Sequence, residues 1–423
     1  MEKRTYPELN ELVYSETLPN GLTVKIVPRP GFKKKLCYFA ADYGSIHRKF
    51  TMDGKSYEAP MGVAHYLEHK LFDMPDRDVC QEFAALGASP NAFTGYDMTA
   101  YYFGCTDHFE ECLKLLLEFV STPYFTEDSV EKELGIITQE ILMNRDNPDT
   151  VIFEQQTAAM YTNHPITEPI LGTEESVKNI TPQILADCHR AFYHPSNMML
   201  CIVGDVDPET VVKIATQALP DTPAPEVSVR RSWDEPMTCK EYTVTSQMEV
   251  AMPTFQLSFK SEDPGMGEPS VIAEIVGELA AEALFGESSP LYMELYEKGL
   301  IDSSFGGGFD TMEGLSMLTA GGDSDDPEAV RQAILEYAKK LSEETIPQED
   351  FLRMKRSALG RRIRGLDSFD SVCFRLCAYR FSNFDFFCLP GLYRQVEAED
   401  VRKFIEKTVT PQRCCLSVIN PFI

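Results

Sequence analysis

The chain has 423 residues, 43% hydrophobic and 25% charged, a balance that excludes disordered, collagen-like and disulfide-scaffold classes. At roughly 100–200 residues per domain it divides into two domains, or three. Its 39 basic and 66 acidic residues give a net charge of −27, which argues against a nucleic-acid surface and against an anionic membrane surface.

The same charge fits a well-solvated cytoplasmic protein, or an acidic interior that attracts basic peptides. Met1–Glu8 is charged with no apolar stretch behind it, so no secretory signal is expected. No apolar run approaches the roughly 18 residues that span a bilayer.

In chain order, Asn20-Gly21 between apolar-rich segments predicts a hairpin across Leu18–Val27. A strand follows at Leu36–Ala41, then helices at Gly62–Phe72 and Arg77–Leu86. Two strand-like pieces, Asn91–Thr94 and Met98–Gly104, flank Gly95-Tyr96-Asp97. His108–Val120 and Glu127–Asn144 read as long helices, the second stopped by Asn147-Pro148. Met198–Val203 is a further strand, closed by Gly204-Asp205. The proline-rich stretch Leu219–Glu226 has no apolar periodicity and reads as a linker.

The second half repeats this order with helices at Glu268–Leu284 and Leu291–Gly299 and a strand at Gly314–Ala320. Helices at Glu328–Leu341 and Gln348–Ile363 complete it. Duplication of one α+β unit of about 200 residues accounts for the order. The expected fold is therefore α+β, two homologous domains, each a mostly antiparallel sheet packed with helices. The expected division is 1–218, a linker 219–232, and 233–423. The twelve cysteines are scattered, mostly in apolar runs, and form no Cys-x-x-Cys pair, which points to free buried thiols in a reducing compartment.

The chemistry is concentrated in Met61–Phe72. At about 100° per residue, His65, Glu68 and His69 fall within one arc of roughly 100°. The two histidines stack one turn apart, at metal-ligand spacing, on a helix that is apolar on several other sides. Two bare imidazoles and a carboxylate there would be costly to desolvate, and a bound Zn²⁺ would remove that cost. His-x-x-x-His alone occurs by chance on core helices. His-x-x-Glu-His is the inverted arrangement of the zinc protease motif. Zinc needs a third protein ligand and one open position. Glu133 and Glu140, seven residues apart on Glu127–Asn144, share a helix face about 10.5 Å apart. Only one of them can touch the metal, and the other can support the site.

His65–His69, Asn91-Ala92-Phe93-Thr94 and Glu133…Glu140 together resemble the insulinase/pitrilysin family of zinc peptidases. The likeness is greatest to its short bacterial and mitochondrial processing-peptidase branch. It extends to Leu18-Pro19-Asn20-Gly21-Leu22, to Phe192–Met198 and to the duplicated halves. The resemblance implies one Zn²⁺ per chain held by His65, His69 and Glu140, with Glu133 supporting and Glu68 as general base. It implies that Asn91, Ala92, Phe93 and Thr94 receive an extended peptide substrate as an added strand. It also implies a zinc endopeptidase whose two-domain chain forms half of a clam-shell chamber. The rival is a non-catalytic subunit of the same fold, which the intact His65, Glu68, His69 and Glu140 disfavour. A purely structural zinc site is disfavoured because such sites usually have four protein ligands.

One departure stands out. The family carries an Arg and a Tyr, seven apart, opposite the metal, and here Tyr296 stands at the Arg position with Asp302 or Ser303 near the Tyr position. The second half also lacks a metal motif, with Arg361 aligned to Glu140. The expected partner is therefore a sibling subunit that lacks His-x-x-Glu-His and carries the Arg/Tyr pair. The alternative is a homodimer using Tyr296 or Lys298. Neither nucleic acid nor membrane is expected.

Overall fold

The computed structural model describes residues 1–75, 77–344 and 346–422. They fall into two compact units. The first comprises residues 1–141, 169–230 and 363–387, and the second 142–168, 231–362 and 388–423. Relative to a single cut at 219–232, the segments 142–168 and 363–387 have changed places, and 219–230 stay with the first unit.

The first unit is built on a seven-stranded sheet. Its order is Glu2–Tyr6, Glu11–Thr17, Thr23–Pro28, Met198–Gly204, Lys35–Ala41, Thr99–Cys105 and Ser89–Thr94. Only the Thr23–Pro28/Met198–Gly204 pair is parallel. The two central strands, Lys-Leu-Cys-Tyr-Phe-Ala-Ala and Met-Met-Leu-Cys-Ile-Val-Gly, are apolar along nearly their whole length because both faces are covered. Helices Val63–Leu71 and Phe109–Ser121 cover one face, and Phe369–Phe381 packs on Met198–Gly204 and Lys35–Ala41. The expected hairpin is present. Asn20 Oδ1 accepts from the Leu22 amide at 3.2 Å. Gly21 has φ +88°, where a Cβ would press on Ser196.

The second unit carries a five-stranded sheet, in the order Thr243–Met248, Cys414–Pro421, Thr254–Ser261, Leu315–Asp323 and Gly306–Met312. The first two strands in that order are parallel and the other pairs antiparallel. From Thr23–Pro28 onward, the first sheet has the same plan: first strand, last strand, second, fourth, third. The duplication expected from the sequence is thus written in the strand order, and the fold is a mixed one with antiparallel-rich sheets. Helix Glu268–Phe285 packs on the edge strand Gly306–Met312, and Pro148–Met160 packs on Cys414–Pro421 and Thr254–Ser261.

Helix Pro148–Met160 escapes a reading of Asn147-Pro148 as a stop. Asn147 is the cap of a new helix, its Oδ1 accepting from the Asp149 amide at 3.0 Å, with Pro148 at the first helical position. Strand Gly306–Met312 was hidden by Gly306-Gly307-Gly308, which reads as a turn. Gly307 is needed there because a Cβ would strike Phe285 and the Thr319 carbonyl. The second helix of the first unit starts at Val79 rather than Arg77, because Asp78 caps it through the Gln81 amide. Val227–Val229, beyond the proline-rich stretch, pairs with Lys49–Met52.

Gln156 fixes Pro148–Met160 to its sheet. Buried at 1% exposure, it donates to the Gln256 and Cys415 carbonyls at 2.9 and 3.1 Å and accepts from Ser258 Oγ at 3.0 Å. Gln156→Met removes all three bonds while nearly keeping volume. It should destabilise the second unit by about 2–4 kcal/mol, read as a lower urea midpoint. An unchanged midpoint would show that this buried amide does not hold the helix.

Candidate metal centre

The helix Val63–Leu71 starts abruptly. Gly62 caps it with φ +88°, and a Cβ there would lie 2.4 Å from the Leu171 carbonyl oxygen. Gly172 meets Met61 as tightly from the other side, and Ser176 Oγ donates to the Met61 carbonyl at 2.9 Å. This close seat fixes where the helix begins and hence where its side chains point. Val63, Ala64, Tyr66, Leu67 and Leu71 are buried in the core. His65 and His69 project from the remaining face with ring centroids 4.6 Å apart.

The long helix Glu127–Arg145 is tied to the first by two bonds. Tyr66 Oη donates to the Val130 carbonyl at 2.5 Å. Lys70, fully buried, donates to the Ser129 carbonyl at 3.3 Å and pairs with Asp73. Val130, Ile137 and Ile141 are the buried stripe of the long helix. With its first turn held and that stripe inward, Glu133 and Glu140 face the two histidines.

Donor atoms of His65, His69 and Glu140 all lie within 4.8 Å of one another, and no other such group occurs among the described residues. Glu140 Oε1 is 3.6 Å from His65 Nε2, and Oε2 is 3.4 Å from His69 Nε2. Four ligands placed about 2.05 Å from a tetrahedral centre stand about 3.3 Å apart, so these separations fit a Zn²⁺-sized cage. Glu133 sits behind. It accepts from His69 Nδ1 at 3.0 Å, which fixes the tautomer and leaves Nε2 as the ligating atom. His65 Nδ1 is buried with no hydrogen-bond partner. Two imidazole nitrogens and one carboxylate match the donor set of two histidines and one glutamate that zinc accepts from protein.

Charge in the cluster follows the geometry. The imidazoles of His65 and His69 hold the Glu140 carboxyl well below the usual carboxylate range. Burial disfavours the His69 cation, but Glu133 and Glu140 outweigh it and push the imidazole up to about 10. Without metal, a proton on His69 therefore supplies the positive charge that the carboxylates demand. Burial raises the Glu68 carboxyl, opposed by a hydrogen bond from Thr94 and by the two imidazoles. Thr94 Oγ1 donates to Glu68 Oε2 at 2.5 Å. Glu68 is thus beside the cage and outside it, with its position set by the last residue of strand Ser89–Thr94.

That strand is the outer edge of its sheet. Ala92 packs toward the core with Thr94, Phe93 lies against Tyr38, Tyr102 and Phe374, and Asn91 Oδ1 accepts from the Ala92 amide at 2.9 Å. In the second unit Tyr296 is 52% exposed and stacks on Tyr292. Lys298 pairs with Glu294, and Asp302 caps a turn through the Ser304 amide. Arg361 is ion-paired to Glu282 and Glu278, and among the described residues no metal group is found with it. Tyr66 and Lys70 are the supporting residues that sequence reading missed. The local pattern marks Tyr66 alone as core, and only the long-range bonds reveal the part of both.

Tyr66→Phe keeps the ring and removes one tie to the long helix. Zn²⁺ affinity should fall about tenfold in a competition titration, with little change in secondary structure. Unchanged affinity would show that the Glu133–Glu140 register does not depend on this bond.

Residues 53–174, which contain the whole cluster, match the family model "Insulinase (Peptidase family M16)", and residues 179–358 match "Peptidase M16 inactive domain". The uncharacterized zinc protease YmfH of Bacillus subtilis is 37% identical over 98% of this chain and 98% of its own. A crystal structure of an M16-like peptidase from Alicyclobacillus acidocaldarius superposes with a TM-score of 0.93 and 31% identity, covering 97% of this chain and 99% of that one. Pitrilysin shares the fold at a TM-score of 0.79 and 18% identity, over 99% of this chain and 46% of its own. The chain belongs to the insulinase family, peptidase family M16.

Proposed function

We propose that the protein is a zinc-dependent endopeptidase in which His65, His69 and Glu140 hold one Zn²⁺ and Glu68 is the general base. The observation that carries the reading is the division of labour among four side chains. Three converge as a metal cage, and the fourth stands beside it on the same helix with a raised carboxyl pKa. Zn²⁺ bound there supplies a Lewis acid for the scissile carbonyl and lowers the pKa of a bound water to about 7. Glu68 takes the proton of the attacking water and passes it to the leaving amine nitrogen. Thr94 keeps that carboxylate oriented, and Glu133 keeps His69 oriented. Strand Ser89–Thr94, the outer edge of its sheet, would take an extended peptide as an added strand once Asn91 Oδ1 releases the Ala92 amide, which aligns a substrate with little sequence demand. The zinc-protease names of the relatives support this reading.

Glu68→Gln should abolish hydrolysis of a quenched fluorogenic peptide and leave stoichiometric zinc. Glu133→Gln should weaken zinc binding by about 10–100-fold, and Glu140→Gln by more, because it removes a ligand. Zinc loss in Glu68→Gln, or normal turnover, would reverse the assignment of base and ligand. Stoichiometric zinc with no turnover in the wild-type chain or any assembly of it would favour the non-catalytic subunit.

The same reading extends to assembly. An endopeptidase of this kind needs a donor for the oxyanion besides the metal. Tyr296 and Asp302 stand where the family has Arg and Tyr, and a carboxylate there would oppose developing negative charge. The chain also spans only about half of pitrilysin. These facts support a cytoplasmic heterodimer in which a sibling chain without the metal motif contributes the Arg/Tyr pair. Peptidase activity should then be low for the purified chain and rise on adding the sibling. Full activity from the chain alone would instead support a homodimer that uses Tyr296 or Lys298.

A further inference from the structure

The edge strand Ser89–Thr94 has two faces, and the helix bearing His65, Glu68 and His69 lies on one. Thr94 and Ala92 point to the ligand helix. Phe93, between them, points the opposite way and meets Tyr38 at 6.3 Å, Tyr102 at 6.4 Å and Phe374 at 5.8 Å between ring centroids. Tyr38 and Tyr102 are themselves stacked at 4.6 Å. Phe374 comes from helix Phe369–Phe381. That helix buries Phe369, Val372, Cys373, Leu376 and Cys377 and leaves Phe374 45% exposed. A large apolar ring therefore lies partly bare beside an unpaired sheet edge, in contact with that edge's own phenylalanine. One helical turn before it, Asp370 is half exposed and 3.6 Å from Lys34.

A peptide laid along Ser89–Thr94 alternates its side chains between the two faces of the sheet. Directly opposed Cβ atoms across antiparallel strands stand about 4.5–5.5 Å apart, within reach of an aromatic ring. Residues facing the ligand helix meet the metal side. Their immediate neighbours in the peptide face Phe93 and Phe374. We propose that Phe374, backed by Phe93, is a specificity platform for a large apolar side chain, aromatic best, on the peptide residue adjoining one that faces the metal. The platform rests on the peptidase reading for its occupant and on these ring contacts for its place. Burying a substrate ring against Phe374 removes apolar surface from water on both partners, and ring-on-ring contact adds to it. Asp370 at the rim disfavours an acidic side chain in the same position.

The test uses the zinc-loaded full chain, with its sibling subunit if activity requires one, and a set of otherwise identical fluorogenic peptides in which one Phe, Ala or Glu is stepped along the sequence. Wild type should prefer Phe over Ala by about tenfold in kcat/KM at one position, mainly through KM, and Glu there should be worst. Phe374→Ala should erase that preference at that position alone. Phe374→Leu should keep most of it. Zinc content and thermal midpoint should stay unchanged in both, since Phe374 is half exposed. An active Phe374→Ala protein with undiminished preference overturns the platform. Anisotropy binding of the same peptides separates the two ideas: Phe-selective binding lost in Phe374→Ala, with no hydrolysis by wild type, overturns the peptidase reading and upholds the platform. Neither binding nor hydrolysis overturns both.

Discussion

The structure depends on holding carboxylates and imidazoles together in a largely buried place. Like charges at this spacing repel, and each group loses hydration. Glu68, Glu133 and Glu140 surround His65 and His69, so the cluster demands positive charge. The pull on His69, up to about 10, measures that demand. The fold answers it by rigidity. Gly62 and Gly172 fix the start of one helix against a loop, and Tyr66 and Lys70 bind the other helix to it. A cage assembled in advance does not pay ordering entropy when the metal enters, which makes Zn²⁺ the natural neutralising charge.

The duplicated sheets give that rigidity its platform. Each has the same strand order, with a parallel pair formed by its first and last strands. Each takes a covering helix from a segment that lies outside the main run of its own half, Phe369–Phe381 in the first unit and Pro148–Met160 in the second. The central strands could be apolar on both faces only because of those helices. In the first unit the covering helix also supplies Phe374 to the edge strand, so the exchange shapes the face of that strand turned away from the ligand helix as well as the core.

Much of this was legible in local pattern. The hairpin at Asn20-Gly21, the histidine helix, Glu127–Arg145 and the strands Ser89–Thr94 and Thr99–Cys105 carry period and turn signals strong enough to place them within a few residues. The His65/His69/Glu140 cluster was legible in part: helix spacing put both histidines on one face and offered Glu133 or Glu140, and the family resemblance alone chose between them. What was missed depends on distant partners. Pro148–Met160 has almost no one-sided apolar stripe, since Gln155 and Gln156 make polar contacts to a sheet about 100 and 260 residues away. Gly306–Met312 is a strand because Leu315–Asp323 pairs with it, against its own glycine-rich propensity. Tyr66 looked like core and is core, whereas nothing in the local pattern marks Lys70 as buried. Their second part comes from the hydrogen bonds at their tips.

The second unit shows what the same geometry becomes without a metal. Helix Glu268–Phe285 occupies the place in the strand order that the histidine helix has in the first unit, and Gln348–Arg364 occupies that of Glu127–Arg145. Glu274 and Glu278, at i, i+4, repeat the spacing of His65 and His69. Arg362 reaches them from the long helix at 2.6 and 3.2 Å, and Tyr393 donates to Glu278 at 2.9 Å. Arg361 pairs with Glu278 and Glu282 beside it. The charges are redistributed: carboxylates on the helix that corresponds to the histidine helix, and guanidinium groups on the one that corresponds to Glu127–Arg145. A guanidinium is permanently charged and brings its own donors, so each carboxylate of this cluster has a cationic partner within the protein. The first unit cannot do this, because its long helix contributes acids to a site already holding one. The fit of the first unit's cluster to a cation thus has one origin, the excess of carboxylate around two histidines, and the arginines of the second unit remove that excess there.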